Sequence, residues 1–345
     1  MSIRARFLFL PAAALLLLFG SAPSATFSQD RTTSGTASLD AEGTVVVDNH
    51  EGSVSIETWG RAEVKYEAVV RPESDAEHPE ATVVRVDRGN DRFVLHTEHD
   101  ESKKDGDGSG LLDRLFGGTN QNLMPVEYTL TVPRTARLEI DDHESEIQVQ
   151  GLSGLAAIDT HDGTITLTDQ GGRAELDSHD GSIRVKNQTG ALAVDTHDGR
   201  VELTGQDGDA EIESHDGPIR VENHAGAVAI DTHDSDIEAE GLRGGLEVDT
   251  HEGSGRFAFA ALTDDVDVTT KDGNFTVTLP AGTGFDLRTD FDDEDASLRA
   301  DFDLSPYRIS MGDDDDEVNY TGSVNGGGPG FFFSADDGDF EIRRQ

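Results

Sequence analysis

Seven histidines recur at one constant interval, eighteen positions, along a single stretch of the chain: His143, His161, His179, His197, His215, His233 and His251. Each is followed by an acid: Glu144, Asp162, Asp180, Asp198, Asp216, Asp234 and Glu252. The next position is small, Gly163, Gly181, Gly199, Gly217 and Gly253, with Ser145 and Ser235 as the exceptions. Eleven positions after each of the first six histidines stands another glycine: Gly154, Gly172, Gly190, Gly208, Gly226 and Gly244. A fixed period of about 20 residues marks stacked supersecondary units, and it restricts the fold more than any other feature of this sequence.

Within one period, HDGSIRVKNQTGALAVDT from His179, apolar residues alternate twice, at Ile183/Val185 and at Leu192/Val194. Period-2 alternation predicts a strand with one buried face. Asp-Gly and Thr-Gly break the runs, so each period reads strand, turn, strand, turn. Exposed positions discriminate between ways of coiling. Five positions after the histidine the chain reads Arg184, Glu202, Arg220, Glu238; fourteen after it, Ala157, Glu175, Ala193, Glu211, Ala229, Glu247. One coil per period stacks opposite charges at about 4.8 Å, whereas a coil of twice that length would stack arginine on arginine. The prediction is therefore an all-β chain, a β-solenoid of about 18-residue coils with two short strands per coil. Up-and-down pairing of the same strands stays open at this point. A single coil buries about four aliphatic side chains, on the order of 6–10 kcal/mol gross. Ordering its backbone costs more than that, so coils must stack and the ends of the stack must be covered.

The flanks are less regular. Arg4 and Arg6 precede the apolar run Phe7–Phe19, and Ala22-Pro23-Ser24 supplies a cleavage site. Residues 1–24 thus read as a secretory signal peptide, the run being short for a membrane span. No later apolar run is long enough to span. Residues 25–40 read as a polar linker and 41–100 as an irregular N-terminal β region. There Val45/Val47 and Val54/Ile56 flank Asn49-His50-Glu51-Gly52 as an early, imperfect copy of the repeat, and Arg88-Gly89-Asn90-Asp91 is a hairpin turn. Residues 101–123 read as a flexible insertion with a short helical turn at Leu111–Phe116. Residues 124–289 are the regular solenoid. Residues 290–345 carry acidic runs (Asp292–Asp295, Asp313–Glu317) and a C-terminal cap, in which Phe331-Phe332-Phe333 covers the narrow aliphatic core. With no cysteine in the chain, stacking takes the place of cross-links.

The formal net charge of −43 argues against nucleic acid, whose binding needs clustered Lys and Arg. It fits a halophilic surface, screened by a salty medium, or a surface that binds divalent cations. Candidate metal ligands lie in the Asp-Thr/Ser-His-Asp-Gly turns: His161, Asp162, His179, Asp180, His197, Asp198, His215, Asp216, His233 and Asp234. The bland account is that Asp-Gly makes a tight turn and duplication repeats the histidine. On the functional account, oxygen-rich turns suit Ca²⁺ while histidine with aspartate suits Zn²⁺ or Ni²⁺. The glycine-rich calcium-binding nonapeptide is absent, and no organic cofactor is expected. No nucleophile motif, phosphate loop or HExxH occurs. A polysaccharide-cleaving enzyme would need two carboxylates at a set separation, and no repeat carries a distinctive insertion to place them. The expected partner is an envelope or surface ligand, with edge-to-edge self-association as a further option.

Gly52-Ser53-Val54-Ser55-Ile56 followed by Trp59 and Glu63-Val64, the stretch Tyr128–Pro133, the recurrent Gly-x-Ile/Val-x-Leu/Val, and the terminal Asp337-Gly338-Asp339-Phe340-Glu341-Ile342 together resemble the bacterial "putative adhesin" family, a β-strand-repeat domain of unknown function. The resemblance runs from about Ala41 to Gln345. It implies a secreted or envelope β-solenoid and brings no catalytic residues with it. This chain departs from the family pattern in the uniform histidine two positions before the turn glycine.

Overall fold

The structure, a computed structural model, describes residues 30–71, 81–99, 123–291, 296–310 and 318–345. The expected signal peptide, the Leu111–Phe116 turn and both acidic runs lie outside them. Equivalent strands of successive repeats pair in parallel. Before the histidine, Leu138, Ala156, Ala174, Leu192, Ala210, Val228 and Leu246 stand opposite one another from coil to coil. After it, the column is Ile147, Ile165, Ile183, Val201, Ile219 and Ile237. Parallel pairing excludes the up-and-down arrangement and fixes one coil per sequence period. Alternate side chains of both strand sets point inward, and the aliphatic residues there are buried. Arg184, Glu202, Arg220 and Glu238 face outward in register, as the alternation of sign requires.

The corners explain the invariant small residues. At the histidine corner the residue before each histidine turns inward. Its hydroxyl accepts the N–H of the glycine three positions on, at 3.1–3.2 Å in the coils of Thr160, Ser178, Thr196 and Thr250. Each histidine carbonyl then accepts the N–H of the acid in the next coil, as in Asp198 to His179 at 3.0 Å, so the ladder continues around the bend. At the opposite corner, the eighth residue after each of the first six regular histidines is left-handed: Gly151, Asp169, Asn187, Gly205, Asn223 and Gly241, with φ from 55° to 76°. Only Gly, Asn and Asp take that conformation readily. Just inside lie Gln170, Gln188, Gln206 and His224, buried; the Gln170 amide donates to Gly154 O at 2.8 Å and the Gln188 amide to Gly172 O at 2.6 Å.

The order of coils in space is not their order in the chain. Thr44–Asp48 lies between Arg92–His99 and Arg137–Asp142, and Gly52–Trp59 between Val126–Pro133 and Glu146–Gln150. The first coil of the chain is thus the second of the stack. The other end mirrors this. In Gly330–Arg344, residues 331–335 sit between 266–270 and 287–291, while 340–342 sit between 275–277 and 298–300. Phe331 and Phe333, expected to cap the core, are therefore buried in a coil inside the stack, and Phe340 of the same coil stacks with Phe275 and Phe291 of its neighbours, and Phe275 with Phe257, at 5.6–5.9 Å. Antiparallel strands close the ends: Glu63–Val70 with Arg31–Ser38, and Thr82–Arg88, at one; Val318–Val324 at the other. They stop a parallel ladder that would otherwise offer an open edge.

Candidate functional site

All ten candidate ligands come together on one edge. Stacking turns the histidines into a column of parallel rings whose centroids are 4.6–5.0 Å apart and whose planes differ by at most 7°. An eighth ring, His50, joins on His143 at 4.9 Å, because its coil is inserted next to that of His143. In the five coils that carry aspartate, His Nδ1 lies 2.8–2.9 Å from Oδ1 of the following residue: His161–Asp162, His179–Asp180, His197–Asp198, His215–Asp216 and His233–Asp234. Where glutamate follows, the longer chain misses: His143–Glu144 is 3.4 Å and His251–Glu252 is 3.7 Å. The next coil replaces the histidine with Lys271.

The outer face of the strands before the histidines is a second feature. Two positions ahead of each histidine an acid stands in register with its neighbours: Asp48, Asp141, Asp159, Asp177, Asp195, Glu213, Asp231 and Asp249. Neighbouring parallel strands are about 4.8 Å apart, so this is a ladder of like charges. Beside it Glu139, Glu175 and Glu211 alternate with Ala157 and Ala193, and this column together with the ladder from Asp141 to Glu213 lines a trough of 620 Å³. Basic groups occur at its rim and its end. Arg173 pairs with Glu175 at 2.7 Å, Arg92 with Glu139 at 3.3 Å, and His96 with Asp48 at 2.7 Å. Among the described residues no salt bridge reaches Asp141, Asp159, Asp177, Asp195, Glu213 or Asp231.

Partial burial, then the carboxylates of Asp159 and Asp195, raise the Asp177 carboxyl above its ordinary range. Asp141 is raised by burial and then by Asp48, Asp159 and Asp142. A carboxyl that holds its proton more tightly when folded destabilises the fold at neutral pH, and that penalty is relieved as the pH falls through its folded value. The face is therefore maintained at the expense of stability. The opposite face is built the other way: Arg184 meets Glu202 at 3.1 Å and Arg220 meets Glu238 at 2.7 Å.

The sequence profile described as Toastrack DUF4097 matches residues 44–227 and again 137–308, the two matches overlapping across the regular coils. The chain belongs to the Toastrack family. No curated protein matches the sequence. A solved structure titled "putative cell adhesion protein from Clostridium sporogenes ATCC 15579" is similar at 11% identity over 91% of this chain and 100% of that one, with a TM-score of 0.17. Among the described residues of this Toastrack chain, no helix is long and apolar enough to cross a membrane.

The sequence showed the seven regular histidines and most of the Toastrack chain's acid ladder. It did not include Asp48 and Asp141 in the ladder, and it read His50 only as part of an imperfect early copy of the repeat, without placing it in the column that its coil reaches by insertion. It missed too that each candidate aspartate binds its own histidine instead of pointing into a shared cage.

Proposed function

We propose that this chain is an exported, non-catalytic rod with an adhesin-like or envelope-structural role, which takes a cationic ligand along its acidic trough. The observation that carries this is the in-register ladder from Asp48 to Asp249. On the other face the same repeats alternate arginine with glutamate, so stacking does not by itself impose like charges. A row of like charges held in register gains most from a partner that supplies cations at matching intervals. An extended basic chain along the trough would do so over several coils. Export rests on the N-terminal apolar run with its flanking arginines.

The test compares binding of a ten-lysine peptide to two variants of the mature chain at low and physiological salt. Asp159→Asn/Asp177→Asn/Asp195→Asn is expected to weaken binding at least tenfold, while Glu202→Gln/Glu222→Gln/Glu238→Gln on the other face leaves it within about twofold. The first variant is also expected to melt higher than the parent, since relieving a directly opposed like-charge pair returns about 0.2–1 kcal/mol. Equal weakening by the two triple substitutions would make the interaction one of net charge and remove the face from the account. Reducing ends released from a polysaccharide by the purified protein would overturn its non-catalytic part.

A further inference from the structure

We propose that the histidine edge is a transition-metal array in which imidazole Nε2 atoms of adjacent coils are the ligands and the aspartates are their orienting partners. The column runs beside the acid ladder, close enough for His179 to act on the Asp177 carboxyl, but its proposed ligands are not those of the trough and the inference does not rest on the trough's role.

The argument begins with the hydrogen bond inside each coil. A carboxylate only accepts, so the 2.8 Å contact between His197 Nδ1 and Asp198 Oδ1 places the ring hydrogen on Nδ1. The neutral ring then carries its lone pair on Nε2. A ligating histidine usually donates its other N–H to a carboxylate, which fixes the tautomer and raises the ligand's basicity. Five successive coils repeat this arrangement at 2.8–2.9 Å, and their side chains remain about half exposed.

Stacking supplies the second part. The rings are parallel, and His197 and His215 lie 4.6 Å apart, so their Nε2 atoms repeat at about that spacing. In a tetrahedral shell two nitrogens at about 2.0–2.1 Å from one ion are about 3.4 Å apart. Adjacent rings must therefore tilt out of parallel, so that their Nε2 lone pairs converge and the atoms approach by about 1 Å, a movement that half-exposed side chains can make. Leaning toward one neighbour means leaning away from the other, so ions fill alternate gaps. Eight rings then hold no more than four ions, with water completing each coordination sphere. Imidazole nitrogen selects borderline ions such as Zn²⁺, Ni²⁺ and Cu²⁺ over Ca²⁺, which takes oxygen ligands.

The test is calorimetric titration of the full mature chain with Zn²⁺ and, separately, Ca²⁺, together with zinc X-ray absorption of the loaded protein. Saturation by Zn²⁺ at two to four ions per chain, with nitrogen in the first shell, is expected. His179→Gln/His197→Gln/His215→Gln should lower the number of ions bound. Asp180→Asn/Asp198→Asn/Asp216→Asn should keep the number and weaken affinity about 10–100-fold. Asp159→Asn/Asp177→Asn/Asp195→Asn, beside the column, should keep the number of ions. Far-UV circular dichroism and melting of each apo variant establish that it is folded. Absence of Zn²⁺ binding, an all-oxygen shell, a stoichiometry unmoved by the histidine substitutions, or a fall in the number of ions on neutralising the trough would each overturn the assignment.

Discussion

A chain that stops at Pro329 is expected to melt more than about 10 °C below the parent and to be cut rapidly by protease in its C-terminal third. The missing segment, Gly330–Gln345, contributes the coil inserted between 266–279 and 287–300. Its removal strips Phe331, Phe333, Phe340 and Ile342, all buried, from the core. At about 1.5–3 kcal/mol for each large apolar side chain, the gross loss of about 6–12 kcal/mol rivals the whole net stability of an ordinary domain. It also leaves parallel edges unpaired on both sides of the gap. Deleting Arg31–Ser38 is the control, because that strand pairs on one side only, with Glu63–Val70. Its loss should lower the melting temperature far less. Equal effects of the two deletions, or an unchanged melt without Gly330–Gln345, would contradict the threaded order of the coils.

The second large effect is expected at Gly190. A Cβ placed there would lie 2.3 Å from the carbonyl oxygen of Gly172 and 2.5 Å from its carbon, both backbone atoms of the coil below. Neither can give way without shifting that coil's corner. The corner is itself in contact, since a Cβ on Gly172 would meet Gly154 O at 2.1 Å. Overpacking of this kind costs about 1–3 kcal/mol even where side chains can yield, and here the obstacle is main chain. Gly190→Ala is thus expected to destabilise by about 3 kcal/mol or more in urea unfolding. Gly60→Ala, where an added Cβ meets nothing within 4 Å, should be neutral. An unperturbed Gly190→Ala protein would mean that the coils are not in contact at this corner.

The regular part of the fold was legible because each coil repeats the same letters. The outward alternation of Arg184, Glu202, Arg220 and Glu238 distinguished one coil length from another, since electrostatics penalises the wrong one. The left-handed corner was harder to see. Gly151, Asp169, Asn187, Gly205, Asn223 and Gly241 share a backbone conformation but no common residue, so the signal was a set of three amino acids at a fixed offset. The order of coils at the two ends could not be read at all. His50 stands out of phase with the period that links the later histidines. Which strand inserts between which others depends on the edges left open in space, not on local pattern. In the site, the histidine column follows from the period alone. Its chemistry does not, because only the structure shows that Asp198 reaches its own histidine while the longer Glu252 does not.

Spin labelling tests the stacking most directly. The chain has no cysteine, so pairs introduced on the outer face are the only thiols to carry nitroxides. Positions 193 and 211 lie one coil apart, and 193 and 229 two, which corresponds to about 4.8 Å and 9.6 Å between backbones. Strong dipolar broadening for Ala193→Cys/Glu211→Cys and clearly weaker broadening for Ala193→Cys/Ala229→Cys is the expected result. Broadening that is greater for the second pair, or absent from both, would contradict a stack with one coil per histidine.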